Sequence, residues 1–296
     1  MRINQFISHN SDFSRREADE LIKQGLVKIS SKIDSKTSLK MGAKSTENSK
    51  TNAKTGSKFG KNSQNGAEKS PKTSLRIAQL TDTVGENDKV FVRGKRLAKR
   101  TKFTLIAYHK PKGELVSRRD ERGRRLIYES LPREFAAWRS VGRLDYASSG
   151  LLLLSDSPVI ASALMNSDLE REYYLKIKGK ITPQICEAMR AGLEIQGLKG
   201  AHAKSKLDKM SIAPFLDYEI FGESGGYTKL RVLLGEGQNR ELRRFFGHFD
   251  LKVMDLKRVA FGAVELGTLK EGKFRYFTKS EYEKLRDFLK SEGVRY

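Results

Sequence analysis

One carboxylate in this sequence stands where a catalytic group is expected. Asp145 lies between Gly142 and Gly150, in a loop directly before four consecutive leucines, Leu151–Leu154. The leucine run predicts a buried strand, and loop residues that a rigid strand holds in place commonly carry catalysis. Asp145 is therefore a candidate catalytic carboxylate. The nearby Arg143 supports a second interpretation, in which the two side chains form a salt bridge that caps the loop.

A second candidate group is a set of arginines in the segment 235–249. At helical spacing the large apolar side chains fall on one face and the arginines on another. The apolar face contains Leu242, Phe245, Phe246 and Phe249, and the other contains Arg240, Arg243 and Arg244. We expect the first face to enter the core and the second to meet phosphate or a carboxylate. Such a stripe is also typical of a solvated helix surface in a basic protein.

The segment 171–178 adds an aromatic side chain to the candidates. Its alternation predicts a strand with Tyr173, Leu175 and Ile177 on one face. The simplest interpretation of Tyr173 is a core aromatic. Alternatively, its ring offers a surface on which an unstacked base can rest, and its hydroxyl can handle a proton.

The scaffold for these residues is predicted over 104–296. Short strand-like runs alternate there with helical segments, which favours an α+β domain with a mainly antiparallel sheet. The predicted strands cover 104–109, 151–154, 173–179, 216–221 and 229–234. The predicted helices cover 158–165, 183–192, 240–249 and 280–290.

A smaller helical unit precedes this domain. Ile3, Phe6 and Ile7 have the spacing of one helix, and Ser14 with Glu17 forms the capping box of a second. The run 90–92 predicts a short strand that completes the unit. The second helix carries a basic edge, made of Arg15, Arg16 and Lys23. That edge is either a solvated face or a contact surface for a polyanion.

The composition changes abruptly between residues 34 and 74. Nine lysines and three acidic residues give this segment a charge of +6, and it is rich in Ser, Thr, Asn and Gly. Such a composition cannot build a core and predicts a flexible cationic insertion. The sequence therefore predicts a first domain over 1–98 that contains this insertion, a basic linker over 99–103 and a second domain over 104–296.

The overall charge indicates a polyanionic partner. The 296 residues contain 58 Lys and Arg against 36 Asp and Glu, a net charge of +22. This excess favours nucleic acid as the partner. A length near 300 residues favours two domains.

Several other classes of protein are disfavoured. The apolar runs are far shorter than the roughly 20 residues of a membrane span, and the first residues do not form a secretory signal. A lone cysteine, Cys186, indicates a reducing compartment, and the four histidines lack metal-ligand spacing. With neither a P-loop nor a GxGxxG motif in the sequence, we expect no nucleotide cofactor and no metal.

The motifs together resemble the RsuA/RluB-type family of RNA pseudouridine synthases. The segment 14–19 is similar to the second helix of an S4 RNA-binding domain, and His109–Gly113 resembles the family's KPxG motif. The other matching segments are 142–145 with 148–153, 171–173, 236–244 and 256–262. The resemblance covers nearly the whole chain and implies an S4-like domain followed by a pseudouridine synthase domain.

This resemblance also assigns roles to the candidate residues. It implies that Asp145 is the nucleophile, that Tyr173 is the active-site tyrosine and that Arg243 pairs with the aspartate. Further RNA contacts are expected from Arg15, Arg16, Lys23, Lys110, Arg143, Arg240 and Arg244. An isomerisation needs no second reactant, so no cofactor is expected.

The expected partner is ribosomal RNA or a ribosomal assembly intermediate. The segment 236–244 is most similar to the large-subunit branch, which implies 23S rRNA. A small-subunit rRNA target, a tRNA target and a non-catalytic S4-type assembly protein with the same fold are the alternatives. We expect a monomer in the cytoplasm.

Overall fold

The computed structural model describes residues 1–32, 73–85, 87–98, 102–196 and 209–294. It divides the chain into two compact units, Met1–Lys99 and Arg100–Tyr296. The insertion predicted at 34–74 lies outside the described residues except for residues 73 and 74, which belong to a strand. The linker predicted at 99–103 is described only from residue 102 onward.

The N-terminal unit packs two helices on a small antiparallel sheet. Helix α1 spans Ile3–Asn10 and helix α2 spans Arg15–Lys23. The strands are β1 (Val27–Lys32), β2 (Thr73–Ile77), β3 (Lys89–Val92) and β4 (Lys95–Arg96), in the order β2-β1-β3-β4. Apolar side chains from both layers form one core, including Ile3, Ile7, Leu21 and Ile29.

The start of α2 confirms the predicted capping box. The Ser14 hydroxyl accepts a hydrogen bond from the Glu17 N–H at 3.2 Å, and Glu17 Oε2 accepts one from the Ser14 N–H at 2.6 Å. Two otherwise unsatisfied N–H groups at the helix start are thereby bonded. On the same helix Leu21 is buried, whereas Arg15 and Arg16 are exposed.

The C-terminal unit is built around a nine-stranded sheet with flanking helices. Its strands are β5 (Leu105–Lys110), β6 (Arg139–Ser140), β7 (Ser149–Ser155), β8 (Arg171–Lys178), β9 (Leu193–Gln196), β10 (Lys209–Ile212), β11 (Asp217–Ser224), β12 (Tyr227–Leu234), β13 (Lys252–Phe261), β14 (Val264–Glu265) and β15 (Phe274–Tyr276). Its helices are α3 (Ile127–Ser130), a 3-10 turn (Arg133–Phe135), α4 (Pro158–Met165), α5 (Pro183–Ala191), α6 (Glu241–His248) and α7 (Lys279–Ser291).

The main sheet has the order β11-β12-β8-β13-β7-β5-β15, with β14 beside β13 and β6 beside β7. Strands β9 and β10 form a separate antiparallel pair. Among the described strands, β13 and β7 are the one parallel pair. The predicted α+β class with a mainly antiparallel sheet is confirmed.

Two hydrophobic cores lie on opposite faces of this sheet. On β7, Leu152 and Leu154 enter the core that also contains residues of α5 and α6. Leu151 and Leu153 enter the other core, with residues of α4 and α7. Side chains alternate between faces along a strand, so the four-leucine run is buried on both sides and holds the preceding loop firmly.

The parallel contact between β7 and β13 requires a glycine. Gly150 has a φ of +110°, and a Cβ at this position would lie 2.2 Å from the Arg258 carbonyl oxygen. No side chain fits at that distance. Gly150 therefore brings β13 against β7 directly after the Asp145 loop.

Strand β13 lies in the middle of the sheet and was absent from the sequence prediction. Its register shifts at two places, between Val253 and Asp255 and between Arg258 and Ala260. Each shift adds an unpaired residue and interrupts the period-2 pattern on which strand prediction depends. The described helices contain none that is long and apolar enough to span a membrane.

Candidate active site

The loop between β6 and β7 presents Asp145 and is fixed by backbone hydrogen bonds. The Ser148 N–H donates to the Asp145 carbonyl at 3.0 Å, and the Gly113 N–H donates to the Tyr146 carbonyl at 2.8 Å. The Lys110 ammonium donates to the Ser148 carbonyl at 2.8 Å. The loop is therefore held by a hydrogen bond of its own and by bonds from the end of β5 and the segment after it.

Helix α6 points Arg243 at the Asp145 carboxylate. Arg243 Nε donates to Asp145 Oδ2 at 3.1 Å, while its terminal nitrogens donate to the Val253 carbonyl at 3.0 Å and to Ser148 Oγ at 3.1 Å. The Arg243 side chain is only 12% exposed. A planar guanidinium bonded both to the Asp145 loop and to β13 has little freedom, so the carboxylate that it contacts is also fixed.

A second guanidinium approaches the same carboxylate. Arg240 Nη1 lies 3.5 Å from Asp145 Oδ2. Arg240 precedes α6 with a φ of +54°, in the left-handed region. Burial lowers the pKa of Arg243, and the adjacent Asp145 charge opposes that shift. An arginine stays protonated under such conditions, so two positive charges lie against the Asp145 carboxylate.

Tyr173 lines the same pocket as Asp145. The pocket has a volume of about 120 Å³, and its walls include Asp145, Tyr173, Arg240 and Leu242. Tyr173 is 8% exposed and comes from β8, whereas Asp145 comes from the loop before β7. Strand β13 lies between these two strands. The Asp145 carboxylate, the Arg240 side chain and an aromatic ring therefore line one cavity, and Arg243 holds the carboxylate from outside that lining.

Two buried charged residues of the pocket wall were missed in the sequence. Glu241 is 4% exposed, and its Oε2 accepts a hydrogen bond from the Gln238 N–H at 2.8 Å. Burial raises the pKa of Glu241 to about 7. The signal was available, because an acidic residue in the first turn commonly caps a helix.

Arg171 is the other missed residue, and it is 5% exposed. It donates to the carbonyls of Leu169 at 2.7 Å, Gly235 at 2.9 Å and Ser167 at 3.0 Å. Its guanidinium also lies 4.9 Å from the centre of the Phe261 ring. Arg171 joins the segment before β8 to the segment before α6. The sequence signal was its position two residues before Tyr173, on the same buried face.

Two residues predicted to contact RNA are instead buried and are reassigned. Lys110 is fully buried because both faces of β5 are covered, and its ammonium donates to two backbone carbonyls, those of Pro111 and Ser148. Burial lowers its pKa to about 8. Arg244 is 1% exposed, and its Nη1 lies 3.9 Å from the Met210 sulfur of β10. The β9–β10 pair, absent from the sequence prediction, covers that side of α6.

The remaining predicted contacts are distributed over both units. Arg143 is exposed and lines the mouth of the Asp145 pocket. Arg15, Arg16 and Lys23 are exposed on α2 of the N-terminal unit, where Lys23 pairs with Glu20 at 2.8 Å. Within the described ranges, no group of three or more His, Cys, Asp or Glu side chains is arranged to hold a metal ion.

Comparison with known proteins gives concordant matches. A family model described as RNA pseudouridylate synthase matches residues 104–248. A Helicobacter pylori protein named as an uncharacterized RNA pseudouridine synthase is 43% identical over 293 residues, which cover 98% of this chain and 95% of the relative. A Bacillus subtilis protein named ribosomal large subunit pseudouridine synthase B is 26% identical over 96% of this chain and 95% of its own length.

A solved structure shares the fold. The crystal structure of a pseudouridylate synthase superposes with a TM-score of 0.56 at 21% identity, covering 96% of this chain and 99% of the other. At that identity the likeness concerns the fold alone.

Proposed function

The chain belongs to the RNA pseudouridine synthase family, one relative of which matches 98% of its length, and on this premise we propose that it isomerises a specific uridine of ribosomal RNA with Asp145 as the nucleophile. The observation that carries the assignment is the hydrogen bond of 3.1 Å between Arg243 Nε and Asp145 Oδ2 at the wall of the Tyr173 pocket. This bond fixes a carboxylate at the wall of the pocket, which supports the proposal that the target nucleotide binds there.

The reaction requires one bond to break and another to form within the same nucleotide. The N1–C1′ glycosidic bond breaks, the uracil rotates, C5 bonds to C1′, and the proton on C5 is lost while N1 gains one. A nucleophilic carboxylate divides this rearrangement into two easier steps. The Asp145 carboxylate, held by Arg243 and approached by Arg240, is suited to that role.

Tyr173 is proposed to hold the base during the rearrangement. Its ring is at the pocket wall on the buried face of β8. A uridine in a folded RNA must leave its stack to reach a half-buried carboxylate at a pocket wall, and an aromatic ring replaces part of the lost stacking. The Tyr173 hydroxyl is the group proposed to assist removal of the C5 proton.

We further propose that the N-terminal unit binds RNA as an S4-like domain. Arg15, Arg16 and Lys23 are exposed along α2, which is the arrangement needed to contact phosphates. The target is proposed to be large-subunit rRNA. Supporting this choice, the Bacillus subtilis relative that matches along 96% of this chain is named for the large ribosomal subunit.

The test of the nucleophile is a comparison of purified wild-type protein with Asp145→Asn. The substrate is rRNA labelled with tritium at C5 of uridine, because isomerisation releases that hydrogen. We expect Asp145→Asn to release no tritium above background while it binds the RNA as tightly as wild type. Asp287→Asn, the same change at an exposed position of α7, is the matched control. Turnover by Asp145→Asn would exclude the assignment.

The target is tested by mapping pseudouridines in RNA from cells with and without the gene. A single modification missing from large-subunit rRNA is the expected result. A modification missing instead from small-subunit rRNA or tRNA would overturn the choice of target but not the reaction. Unchanged RNA, together with an inactive purified protein, would favour a non-catalytic assembly role.

A further inference from the structure

The main sheet has a region that none of the described helices covers. On the face that carries Leu151 and Leu153, residues of α4 and α7 pack over β7 and β5. The same face continues across β13, β8, β12 and β11, where its side chains are exposed or half-buried. We name this region the open sheet face. Its cationic and aromatic members are Tyr174, Lys176, Lys178, Phe221, Tyr227, Lys229, Arg231, Lys252 and Lys257.

The strand register arranges these side chains in rows. Residues directly opposite one another on neighbouring strands share a face of the sheet. The rows, read from β12 through β8 to β13, are Arg231, Tyr174 and Lys257; then Lys229, Lys176 and Asp255; then Tyr227, Lys178 and Lys252. Strands lie about 4.8 Å apart, so each row spans about 10 Å.

The charge of the open sheet face is not compensated from within. Lys176 faces Lys229 and Lys178 faces Lys252 across the strands, and such like-charge pairs destabilise a sheet. The acidic groups of this face lie near other cations: Asp255 contacts Lys112 at 2.9 Å, Asp217 and Glu219 contact Arg231, and the charge of Glu172 also acts on Arg231. Across the described ranges, no carboxylate lies within ion-pair distance of Lys178, Lys229, Lys252 or Lys257. A polyanion would relieve this repulsion.

Aromatic rings stand among these cations. Tyr174 is 45% exposed and Phe221 is 52% exposed, and their rings meet edge to face with centroids 5.6 Å apart. The Lys176 ammonium lies 4.3 Å from the centre of the Tyr227 ring. Exposed rings beside cations are the means by which sheet surfaces bind unpaired nucleotides, because the rings stack on bases and the cations meet phosphates.

We propose that the open sheet face binds a single-stranded segment of the RNA substrate, on the side of the sheet opposite the Tyr173 pocket. The inference rests on the proposed function only in taking RNA as the substrate. Tyr173 and Tyr174 are neighbours on β8 whose side chains lie on opposite faces. The same strand would then contribute one ring to the reacting base and the next ring to a base of a separate single-stranded segment, which reaches the opposite face around the edge of the sheet.

The aromatic contribution is tested by binding of a fluorescein-labelled oligouridylate of about 10 nucleotides to the full chain, a length comparable to known single-strand sites. Phe221→Ala and Tyr174→Ala are each expected to weaken binding about 10-fold. Tyr174→Phe keeps the ring and should bind as wild type. The matched control is Tyr276→Ala on β15, which removes an aromatic side chain that is 50% exposed outside the open sheet face and should leave the affinity unchanged.

The electrostatic contribution is tested with Lys176→Gln combined with Lys229→Gln. Each lysine that neutralises a phosphate of a single strand contributes about 0.7 to the slope of log affinity against log salt, so the double variant should lose about 1.4. The control is Lys279→Gln, at a position that is 93% exposed on α7. Circular dichroism of each variant separates lost binding from lost fold.

Binding does not depend on isomerisation, so this proposal and the proposed function fail separately. Unchanged affinity and salt slope in the open-face variants would overturn the proposal even if Asp145 proves to be the nucleophile. An equal loss of affinity for double-stranded RNA of the same length would overturn the single-strand assignment. In turnover assays the open-face variants should raise KM and leave kcat unchanged.

Discussion

Helices α2 and α6 begin with the same hydrogen bond in opposite surroundings. In each, a glutamate accepts a bond from the backbone N–H three residues earlier, at 2.6 Å for Ser14 to Glu17 and at 2.8 Å for Gln238 to Glu241. The bonds from Ser14 lower the pKa of the exposed Glu17, whereas burial raises the pKa of Glu241 to about 7. At Glu241, burial therefore raises the pKa by more than the local hydrogen bond lowers it.

The arginines of the two helices differ in the same way. Arg15 and Arg16 on α2 are exposed, whereas Arg243 on α6 is held by three acceptors, two in the Asp145 loop and one in β13. An exposed guanidinium remains available for phosphate. A buried one orients a carboxylate. What a helix packs against thus decides the role of its arginines.

The largest expected effect follows from removing the Arg243 guanidinium. Arg243→Gln should lower kcat about 1,000-fold with little change in RNA affinity, because Asp145 loses the donor that fixes it. Single-turnover tritium release measures this effect. Arg243→Lys, which keeps the charge but cannot reach three acceptors at once, should be intermediate. Full activity in Arg243→Gln would show that the anchored anion is not needed.

Glu241 should make stability depend on pH. Its pKa near 7 in the native state exceeds the usual value of 4.5, so the native state binds more protons than the unfolded state between these values. The free energy of unfolding should therefore fall by up to about 3 kcal/mol as the pH rises through that window. Urea unfolding at several pH values should show that Glu241→Gln removes this dependence.

Glu17→Gln is the matched control for that comparison. The lowered pKa of Glu17 implies stability that is present above pH 4.5 and lost on acidification. Glu17→Gln should therefore reduce the free energy of unfolding at neutral pH. Relative to wild type, the free energy of unfolding of Glu17→Gln should fall as the pH rises, whereas that of Glu241→Gln should increase. Identical trends in the two variants would contradict the role assigned to burial.

A smaller effect is expected from Arg240. Its single contact with Asp145 at 3.5 Å is longer than that of Arg243. Arg240→Gln should therefore lower kcat only about 10-fold, as expected for a weaker charge contact. The same tritium-release assay measures it, and a loss as large as that of Arg243→Gln would remove the distinction between the two arginines.

The smallest effect on turnover is expected on α2. Arg15→Gln combined with Arg16→Gln should raise KM about fivefold, leave kcat unchanged and reduce the salt slope by up to about 1.8. Arg244→Leu is the contrast on α6. Because Arg244 is buried, the slope should stay the same in that variant. A changed slope in Arg244→Leu would mean that its guanidinium reaches RNA.

Sequence patterns predicted the parts of this fold that depend on local chemistry. The capping box at Ser14, helix α4 and the buried run at 151–154 all follow from residue types over a few positions. Strand β13 did not follow, because its bulges depend on pairing with β8. The burial of Lys110 and Arg244 was also hidden, since it is imposed by β7 and by the β9–β10 pair, which are distant in sequence.

The candidate site also contains some features that local sequence predicts and others that depend on the folded chain. Asp145 and Tyr173 were identifiable from their local patterns and from the family resemblance. The acceptors that fix Arg243 could not be identified from the sequence, because Val253 and Ser148 are brought to it only by the folded chain. Glu241 looked like an ordinary capping residue, and only its burial raises its pKa.

Because β7 pairs with β13, the candidate site can assemble only after β13 has been synthesised. Asp145 emerges from the ribosome long before Lys257 and Arg258, whose backbones pair with Ser149 and Gly150. Contacts so far apart in sequence form late and slowly. A nascent chain therefore carries Asp145 before the strand that pairs with β7 has been made, and the candidate site is completed only after β13 has emerged.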